Sequence, residues 1–331
     1  MAGQYNSRNS RKRKKSKAPV VVFSALAIIL IAAVSLLILK PFDSRTTATK
    51  SGSSAGSQVA AKSSSVAASS ATTSASKTLD TSNWLTTNGA PNQLPILMFH
   101  YTDEVANNPL PAWNSNYMTP QALDAIAKAL KANGYQTLTA DEAAAVLTGN
   151  KKPSNKMVWL TFDDGHADNY TYTYPILKKY GLHASFGMIA GVLPTYGGAD
   201  TSYITEKQMK EMKASGVVDF ISHTTSHLDL STLSAADETH EVKDSKTKLD
   251  QMLAQNTQVL VYPSGKFNAL TESVAKKAGY KIGLEEGEDM ATSALNSFEM
   301  PRYRMSDGTT PDYVLSLLAP ASKYNTNNTP K

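Results

Sequence analysis

The chain has 331 residues, with 33 Lys and Arg against 28 Asp and Glu, and it contains no cysteine. The lack of cysteine excludes disulfides, thiolate zinc sites, thiol nucleophiles and iron–sulfur clusters. Seven of the basic residues lie in residues 1–17, which hold no acidic residue, and the other 26 face 28 acidic residues. The positive charge therefore belongs to a short tail, and the rest of the chain has no basic excess typical of nucleic-acid binding.

Residues 18–39 form an uncharged apolar run directly after the basic tail. As a helix the run would span about 33 Å, enough for a hydrocarbon core of about 30 Å. It is longer than the apolar part of a secretory signal and ends at Lys40-Pro41 without a small-residue cleavage site. It predicts an uncleaved single-pass anchor, with a cleaved signal or a buried helix as alternatives. The basic tail predicts a cytoplasmic segment 1–17, so the remainder lies outside the cell membrane.

Residues 40–93 are rich in Ser, Thr and Ala, the composition of a disordered extracellular linker, and residues 320–331 are predicted to be a disordered tail. Residues 94–319 alternate short apolar runs with helical patterns. The predicted strands are Ile96–Phe99, Met157–Phe162, Ala184–Ile189, Val217–Ile221 and Gln258–Tyr262. The predicted helices cover Pro120 to Asn133, Asn169 to Tyr180, Thr205 to Ala214, Ala235 to Leu253 and Leu270 to Ala278. This alternation predicts an α/β fold with parallel strands, and one uninterrupted run favours an irregular (β/α) barrel.

Polar residues follow several of the predicted strands. They are His100, Asp163 and Asp164, His223 and His227, and Tyr262. The loops after barrel strands share one face, where active sites are built, so we expect these residues to converge there.

Two of these groups suggest metal chemistry. Asp163-Asp164-Gly165 is by itself a common turn sequence, and the spacing of His223 and His227 by itself is often structural. Together, one carboxylate and two imidazoles provide three ligands and leave a position for water, as in hydrolytic metal sites. A metal ion lowers the pKa of bound water, and the second carboxylate can accept its proton.

The segment Thr161–Gly165, followed about 60 residues later by Ser222–His227, resembles the first two motifs of the NodB-homology polysaccharide deacetylases, carbohydrate esterase family four. The resemblance covers most of residues 94–319 and implies a NodB-type barrel of seven strands. It implies that Asp163 is the general base and that Asp164, His223 and His227 hold one divalent metal ion. Zinc is the usual ion, with Co²⁺ and Ni²⁺ as alternatives, and the implied reaction releases acetate from N-acetylglucosamine units.

The sequence departs from the common family pattern in two places. No Arg lies near the third motif around Tyr262, and no late His is present to act as the general acid. The run ending in His100 resembles the N-terminal motif of the exopolysaccharide branch, which includes poly-β-1,6-N-acetylglucosamine deacetylases and implies His100 as the acid. Arg302 or Arg304 is expected to orient Asp163 in place of the missing Arg; with Tyr262, these two residues are the predicted substrate-binding set.

The remaining candidates have plainer explanations. His166 is expected near the Asp pair or at the surface, while His183 and His240 are expected to be structural or exposed. Tyr101, Trp113 and Tyr117 are expected to pack in the core or at the surface more often than to stack on sugars. The acidic run from Glu285 to Asp289 is expected to be a solvated loop, with attraction of a cationic glycan as the alternative.

The leading hypothesis is a membrane-anchored, extracellular, metal-dependent deacetylase that removes N-acetyl groups from polysaccharides containing N-acetylglucosamine. Its expected partners are that glycan and the membrane, through residues 18–39, with no nucleic acid and no obligate protein partner. The alternatives are an O-acetyl or peptidoglycan deacetylase of the same family, and a non-catalytic glycan-binding module that kept the fold. Retention of Asp163, Asp164, His223 and His227 together favours an enzyme.

Overall fold

A computed structural model describes residues 79–107, 115–193 and 202–319. The predicted cytoplasmic tail, membrane anchor and C-terminal tail, and most of the predicted linker, lie outside these residues and stay predictions. No helix in the described ranges is both long enough and apolar enough to cross a membrane.

Most of the strands are short. The longer strands carry mainly apolar side chains, which are buried on both faces of the sheet. In chain order they are β1 (Leu85–Thr86), β2 (Gln93–Leu94), β3 (Ile96–Phe99), β4 (Tyr101–Thr102), β5 (Tyr117–Met118), β6 (Gln136–Thr137), β7 (Lys151–Lys152), β8 (Met157–Phe162), β9 (Ala184–Met188), β10 (Val218–Ser222), β11 (Val259–Val261), β12 (Ile282–Leu284), β13 (Ala291–Thr292) and β14 (Tyr303–Arg304).

Seven α-helices of the described part cover the sheet. They are α1 (Pro120–Ala132), α2 (Ala140–Thr148), α3 (Tyr174–Tyr180), α4 (Glu206–Ala214), α5 (Ala235–Leu253), α6 (Ala269–Ala278) and α7 (Pro311–Leu318). A π-helical turn, Asn169–Thr173, leads directly into α3.

The main sheet has the strand order β12-β11-β10-β9-β8-β3-β14, with β6 added beside β8, and all its pairings are parallel. Continuous apolar runs such as Met157–Phe162 suit strands covered on both faces. The largest apolar cluster packs α1, α3 and α4 against one face of the sheet, and a second one packs α2 against the other. The carboxyl ends of β3, β8, β10 and β11 consequently share one edge.

The prediction of an irregular (β/α) barrel is confirmed in part. The sheet curls into a parallel half-barrel with β12 and β14 at its two ends. Residues 300–304, which include β14, link β12 to β3: Met300 forms an isolated bridge to Leu284 of β12, and Tyr303–Arg304 pairs with β3. The regular ladder stops because this segment contacts each edge over only one or two residues.

Several helices begin or end at residues that are typical helix caps. Thr119 caps α1 by accepting a hydrogen bond from the amide of Ala122, with Pro120 at the first helical position. The helix from Ala235 to Leu253 is found at the predicted bounds. Helix α2 was missed, although Thr139 and Glu142 form a reciprocal capping box at its start.

Candidate active site

Asp163 lies directly after β8 and is held by a buried arginine. Arg302 donates from Nη1 to Oδ1 at 2.9 Å and from Nη2 to Oδ2 at 2.8 Å. Asp163 is 1% exposed and Arg302 is 0% exposed. Nη1 of Arg302 also donates to Thr161 Oγ1, and Nε donates to the carbonyl of Glu285. Every nitrogen of the guanidinium is therefore engaged, and its planar fork fixes the orientation of the carboxylate.

The charge balance keeps Asp163 ionised. Burial by itself raises the pKa of a carboxyl group, but the charges of Arg302 and His223 outweigh it and hold the pKa of Asp163 below its ordinary value of 3.8. A carboxylate in this state can accept a proton, which is the property that a general base requires.

The next residue, Asp164, points its two carboxylate oxygens at different partners. Oδ1 lies 3.2 Å from His223 Nε2 and 3.5 Å from His227 Nε2. Oδ2 accepts a hydrogen bond from His166 Nε2 at 3.3 Å. Burial opposes the charged form, but the hydrogen bond from His166 and the His223 imidazole beside the carboxylate hold the pKa of Asp164 well below 3.8. The backbone of Asp164 has φ 70°, a left-handed conformation that is costly without glycine and is typical of functional sites.

Gly165 completes the turn after the Asp pair. Its φ is 76°, and a Cβ atom there would lie 2.5 Å from Cε of Met188. The Met188 side chain is flexible and could move aside, so the positive φ is the reason that this turn favours glycine.

The structure brings His223 and His227 together on the loop after β10. Nδ1–H of His223 donates to the carbonyl of Val261 at 3.0 Å, which leaves the lone pair of Nε2 facing Asp164. This is the tautomer that a metal ligand needs. The amide of His227 donates to Thr224 Oγ1 at 3.1 Å, and its imidazole is more exposed than that of His223.

Asp164, His223 and His227 fit a divalent metal ion. One ligand atom from each lies within 4.8 Å of the others. Asp164 Oδ1 is buried and has no hydrogen-bond partner among the described residues, as expected for an oxygen reserved for a cation. One carboxylate oxygen and two imidazole nitrogens are donors that suit zinc, cobalt and nickel.

His100 follows β3 and faces the same cleft. It is 5% exposed, and its Nδ1 lacks a hydrogen-bond partner in the described part of the chain. Asn169 Nδ2 donates to its carbonyl at 2.8 Å and fixes the backbone. Burial lowers the pKa of His100 below 6.5, against the opposing charges of Asp163 and Asp164. A lowered pKa makes the imidazolium a stronger acid while reducing the fraction that is protonated.

The cleft has a volume of about 240 Å³. It is lined by His100, Tyr101, Asn116, Asp164, His227, Ser264, Glu286 and Arg304. Arg304 pairs with Glu286 and donates to Asn116. Asn116 and Ser264 were not predicted, and Glu286 was expected in a solvated loop. No sequence signal marked Asn116.

Two predicted substrate-binding residues do not line the cleft, which corrects the sequence interpretation. Tyr262 is 0% exposed, its hydroxyl donates to the carbonyl of Phe298 at 3.0 Å, and its ring stacks on Phe267. The strand end turns this side chain into the core, and Ser264 reaches the cleft instead. The amide of Tyr262 donates to the carbonyl of Leu284. Arg302 is buried and forms an ion pair with Asp163. Of the three predicted substrate-binding residues, only Arg304 borders the cleft.

The other aromatic and histidine candidates from the sequence lie in different parts of the structure. The ring of Tyr101 is stacked between those of Tyr117 and His166, at centroid distances of 4.4 and 3.8 Å. His183 lies before β9, at the opposite end of the strands, and contacts Asp219. His240 is exposed on α5 and contacts Asp244. Trp113 lies outside the described residues.

This arrangement is that of a hydrolase: a site for one cation, a separate ionised carboxylate and a histidine lie together at the carboxyl edge of a parallel sheet. Comparison with known proteins agrees. A sequence profile described as polysaccharide deacetylase matches residues 150–283. YxkH of Bacillus subtilis (strain 168), a protein named for the polysaccharide deacetylases, is 39% identical over 229 residues, covering 69% of this chain and 77% of YxkH.

Two further similarities extend this result. The poly-β-1,6-N-acetyl-D-glucosamine N-deacetylase of Staphylococcus aureus (strain N315) is 31% identical over 201 residues, covering 58% of this chain and 69% of that protein. The structure of the Streptococcus pyogenes deacetylase PplD in complex with acetate superimposes with a TM-score of 0.65 and 36% identity, covering 70% of this chain and all of that chain. The chain belongs to the polysaccharide deacetylase family, with the NodB-type fold, as the motifs predicted.

Proposed function

We propose that the chain is a metal-dependent N-deacetylase of polysaccharides that contain N-acetylglucosamine. The observation that carries the proposal is the separation of roles between adjacent carboxylates: Asp164 faces two imidazoles, whereas Asp163 faces Arg302 and stays free of the metal ligands. The Staphylococcus aureus relative is named for this amide hydrolysis, which supports the same substrate class here.

Asp164, His223 and His227 would hold the divalent ion, with zinc as the proposed ion and cobalt or nickel as alternatives. Such an ion polarises the acetamide carbonyl and increases the acidity of water at the site. The hydrogen bond from His223 to Val261 and that from His166 to Asp164 orient two of the three ligands.

Asp163 and His100 would move the protons. Asp163, ionised and fixed by Arg302, accepts the proton of the attacking water. His100, in its protonated form, donates to the nitrogen of the sugar as the amide bond breaks, because an unprotonated amide nitrogen is a poor leaving group. Arg304, paired with Glu286 at the cleft wall, is the remaining candidate for contact with sugar hydroxyls.

The test is acetate release from β-1,6-linked N-acetylglucosamine oligomers, with and without chelator, by wild-type protein and Asp163→Asn. The proposal expects release that stops on chelation and in the variant. Faster release from O-acetylated glycan or from peptidoglycan would instead favour those substrates. Glycan binding without acetate release from any of them would favour the non-catalytic module.

The anchor and the location are part of the proposal and rest on the sequence alone. The apolar run 18–39 after a basic tail supports a single-pass anchor with the enzyme outside the cell membrane. Membrane fractionation with protease added to intact cells tests it. Digestion of the deacetylase domain from outside, with a membrane-bound remnant, is expected; full protection of the domain would contradict it.

A further inference from the structure

A carboxylate from outside the loop holds the backbone between the two proposed histidine ligands. Glu241, on α5, is 7% exposed. Its Oε2 accepts hydrogen bonds from the amide of Thr225 at 3.0 Å and from the amide of Ser226 at 2.8 Å. Hydrogen bonds to an ionised acceptor are stronger than those between neutral groups, so one side chain fixes two consecutive peptide units of this loop.

The opposite side of the loop is held by the chain that follows β9. The amides of Ala190 and Gly191 donate to the carbonyls of Thr224 and Thr225, at 2.9 and 2.6 Å. A Cβ atom at Gly191 would lie 2.3 Å from the Thr225 oxygen, so the two backbones are in close contact. The hydroxyl of Thr225 also donates to the carbonyl of Glu241 at 3.1 Å. The loop is therefore held between the segment that follows β9 and helix α5.

The backbone of the loop needs such support. Thr224 and His227 have φ values of 66° and 57°, in the left-handed region that residues with a Cβ atom avoid and that is worst for a β-branched residue. Conformations of this kind persist only where the surroundings impose them. His223 is held separately, by its hydrogen bond to Val261. His227 is 36% exposed, so besides its contacts with His223 and Asp164 the direction of its ring depends on the backbone that Glu241 fixes.

We propose that Glu241 is a positioning residue of the metal site: its carboxylate fixes Thr225 and Ser226 so that His227 faces Asp164 alongside His223. The inference rests on the proposed metal-dependent function, because it assigns Glu241 a role in forming that ligand set. Glu241 touches neither the ligand atoms nor the cleft wall, and it acts through the loop backbone.

Glu238 provides a matched control. It lies on the same helix, is 0% exposed, and accepts a hydrogen bond from the hydroxyl of Thr271 on α6 instead of from the loop. Full-length Glu241→Ala and Glu238→Ala proteins are stripped of metal, and Zn²⁺ affinity is measured by competition with a chromophoric chelator. The absorption spectrum of the Co²⁺ form reports the ligand geometry independently of turnover.

Glu241→Ala is expected to weaken Zn²⁺ binding about 10- to 100-fold and to change the Co²⁺ spectrum. Glu238→Ala is expected to match wild type in both measurements, whatever it does to the melting temperature. Glu241→Gln is expected to fall between wild type and Glu241→Ala, because its amide oxygen accepts the same hydrogen bonds without the charge.

A Zn²⁺ affinity of Glu241→Ala within twofold of wild type would overturn the inference, and so would equal losses in the Glu241 and Glu238 variants. If Glu241→Ala does not fold, as judged by circular dichroism, Glu241→Leu and Glu238→Leu, which keep the side-chain volume and remove the acceptor, are compared under the same criteria. A wild-type protein that binds no Zn²⁺ would instead overturn the proposed function, so the two failures are distinguishable.

Discussion

Arg302 and Asp163 form a buried, two-pronged ion pair although 138 residues separate them in the chain. Arg302 reaches Asp163 from the segment that links β12 to β3. The orientation of Asp163, the proposed general base, therefore depends on the position of the segment that carries Arg302.

Replacing Arg302 by Lys tests this dependence. Lysine keeps the charge but cannot hold both carboxylate oxygens in one plane, so the orientation of Asp163 is lost. We expect the Arg302→Lys protein to lose about 10²-fold in kcat, the scale of a misplaced catalytic group. Zn²⁺ affinity, measured in parallel, is expected to stay near wild type because Arg302 contacts no proposed ligand. Wild-type kcat in this variant would show that the pair is only structural.

Removing the positive charge altogether should also destabilise the protein. Arg302→Met leaves Asp163 as a buried charge without its partner, which typically costs about 3–5 kcal/mol. Denaturant unfolding is expected to show this loss, and Asp163→Asn combined with Arg302→Met should recover part of it. A single Arg302→Met variant as stable as wild type would contradict the buried ion pair.

The acid role of His100 is tested against an exposed histidine. His100→Asn removes the proposed proton donor, and general acids contribute typically 10²- to 10⁴-fold, so a fall of that size in kcat is expected. His240→Asn is the matched control, since the imidazole of His240 is on the surface of α5 and pairs with Asp244. Acetate release by the two variants is compared at equal metal loading. Equal turnover in both would remove His100 from the mechanism.

Stability should depend on pH through His183, far from the cleft. Burial opposes protonation of its imidazole, but the Asp219 carboxylate at 3.0 Å and the Gly216 carbonyl at 3.1 Å outweigh it and raise its pKa above 6.5. The folded state therefore binds the proton more tightly than the unfolded state. Its stabilisation is fully present below about pH 6.5 and is lost as the pH rises through the raised pKa.

Urea unfolding of wild type and His183→Gln between pH 5.5 and 9 measures this contribution. The difference in unfolding free energy is expected to be largest at the acidic end and to shrink as the pH rises. A difference that grows with pH would have the wrong sign for a raised pKa.

The sequence predicted those parts of the fold that depend on local signals. Apolar runs marked the main strands, and capping residues such as Thr119 and Gly279 marked helix ends. Asp163, Asp164, His223 and His227 were predictable as a group because parallel strands bring their carboxyl ends to one edge.

Other features depend on contacts between distant segments. The direction of Tyr262 is set by packing against Phe267 and Phe298, which no local pattern encodes. The choice between Arg302 and Arg304 as the partner of Asp163 depends on how residues 300–304 link β12 to β3. The Glu241 contact joins helix α5 to the loop 15 residues earlier and carries no motif.

The central claim is that adjacent carboxylates have different roles, Asp164 in metal binding and Asp163 in proton transfer. Zn²⁺ content and acetate release, measured together on wild type, Asp163→Asn and Asp164→Asn, test it most directly. The account predicts one Zn²⁺ per chain and acetate release for wild type, one Zn²⁺ without release for Asp163→Asn, and loss of both for Asp164→Asn. Undiminished acetate release by Asp163→Asn, or full Zn²⁺ binding by Asp164→Asn, would contradict it.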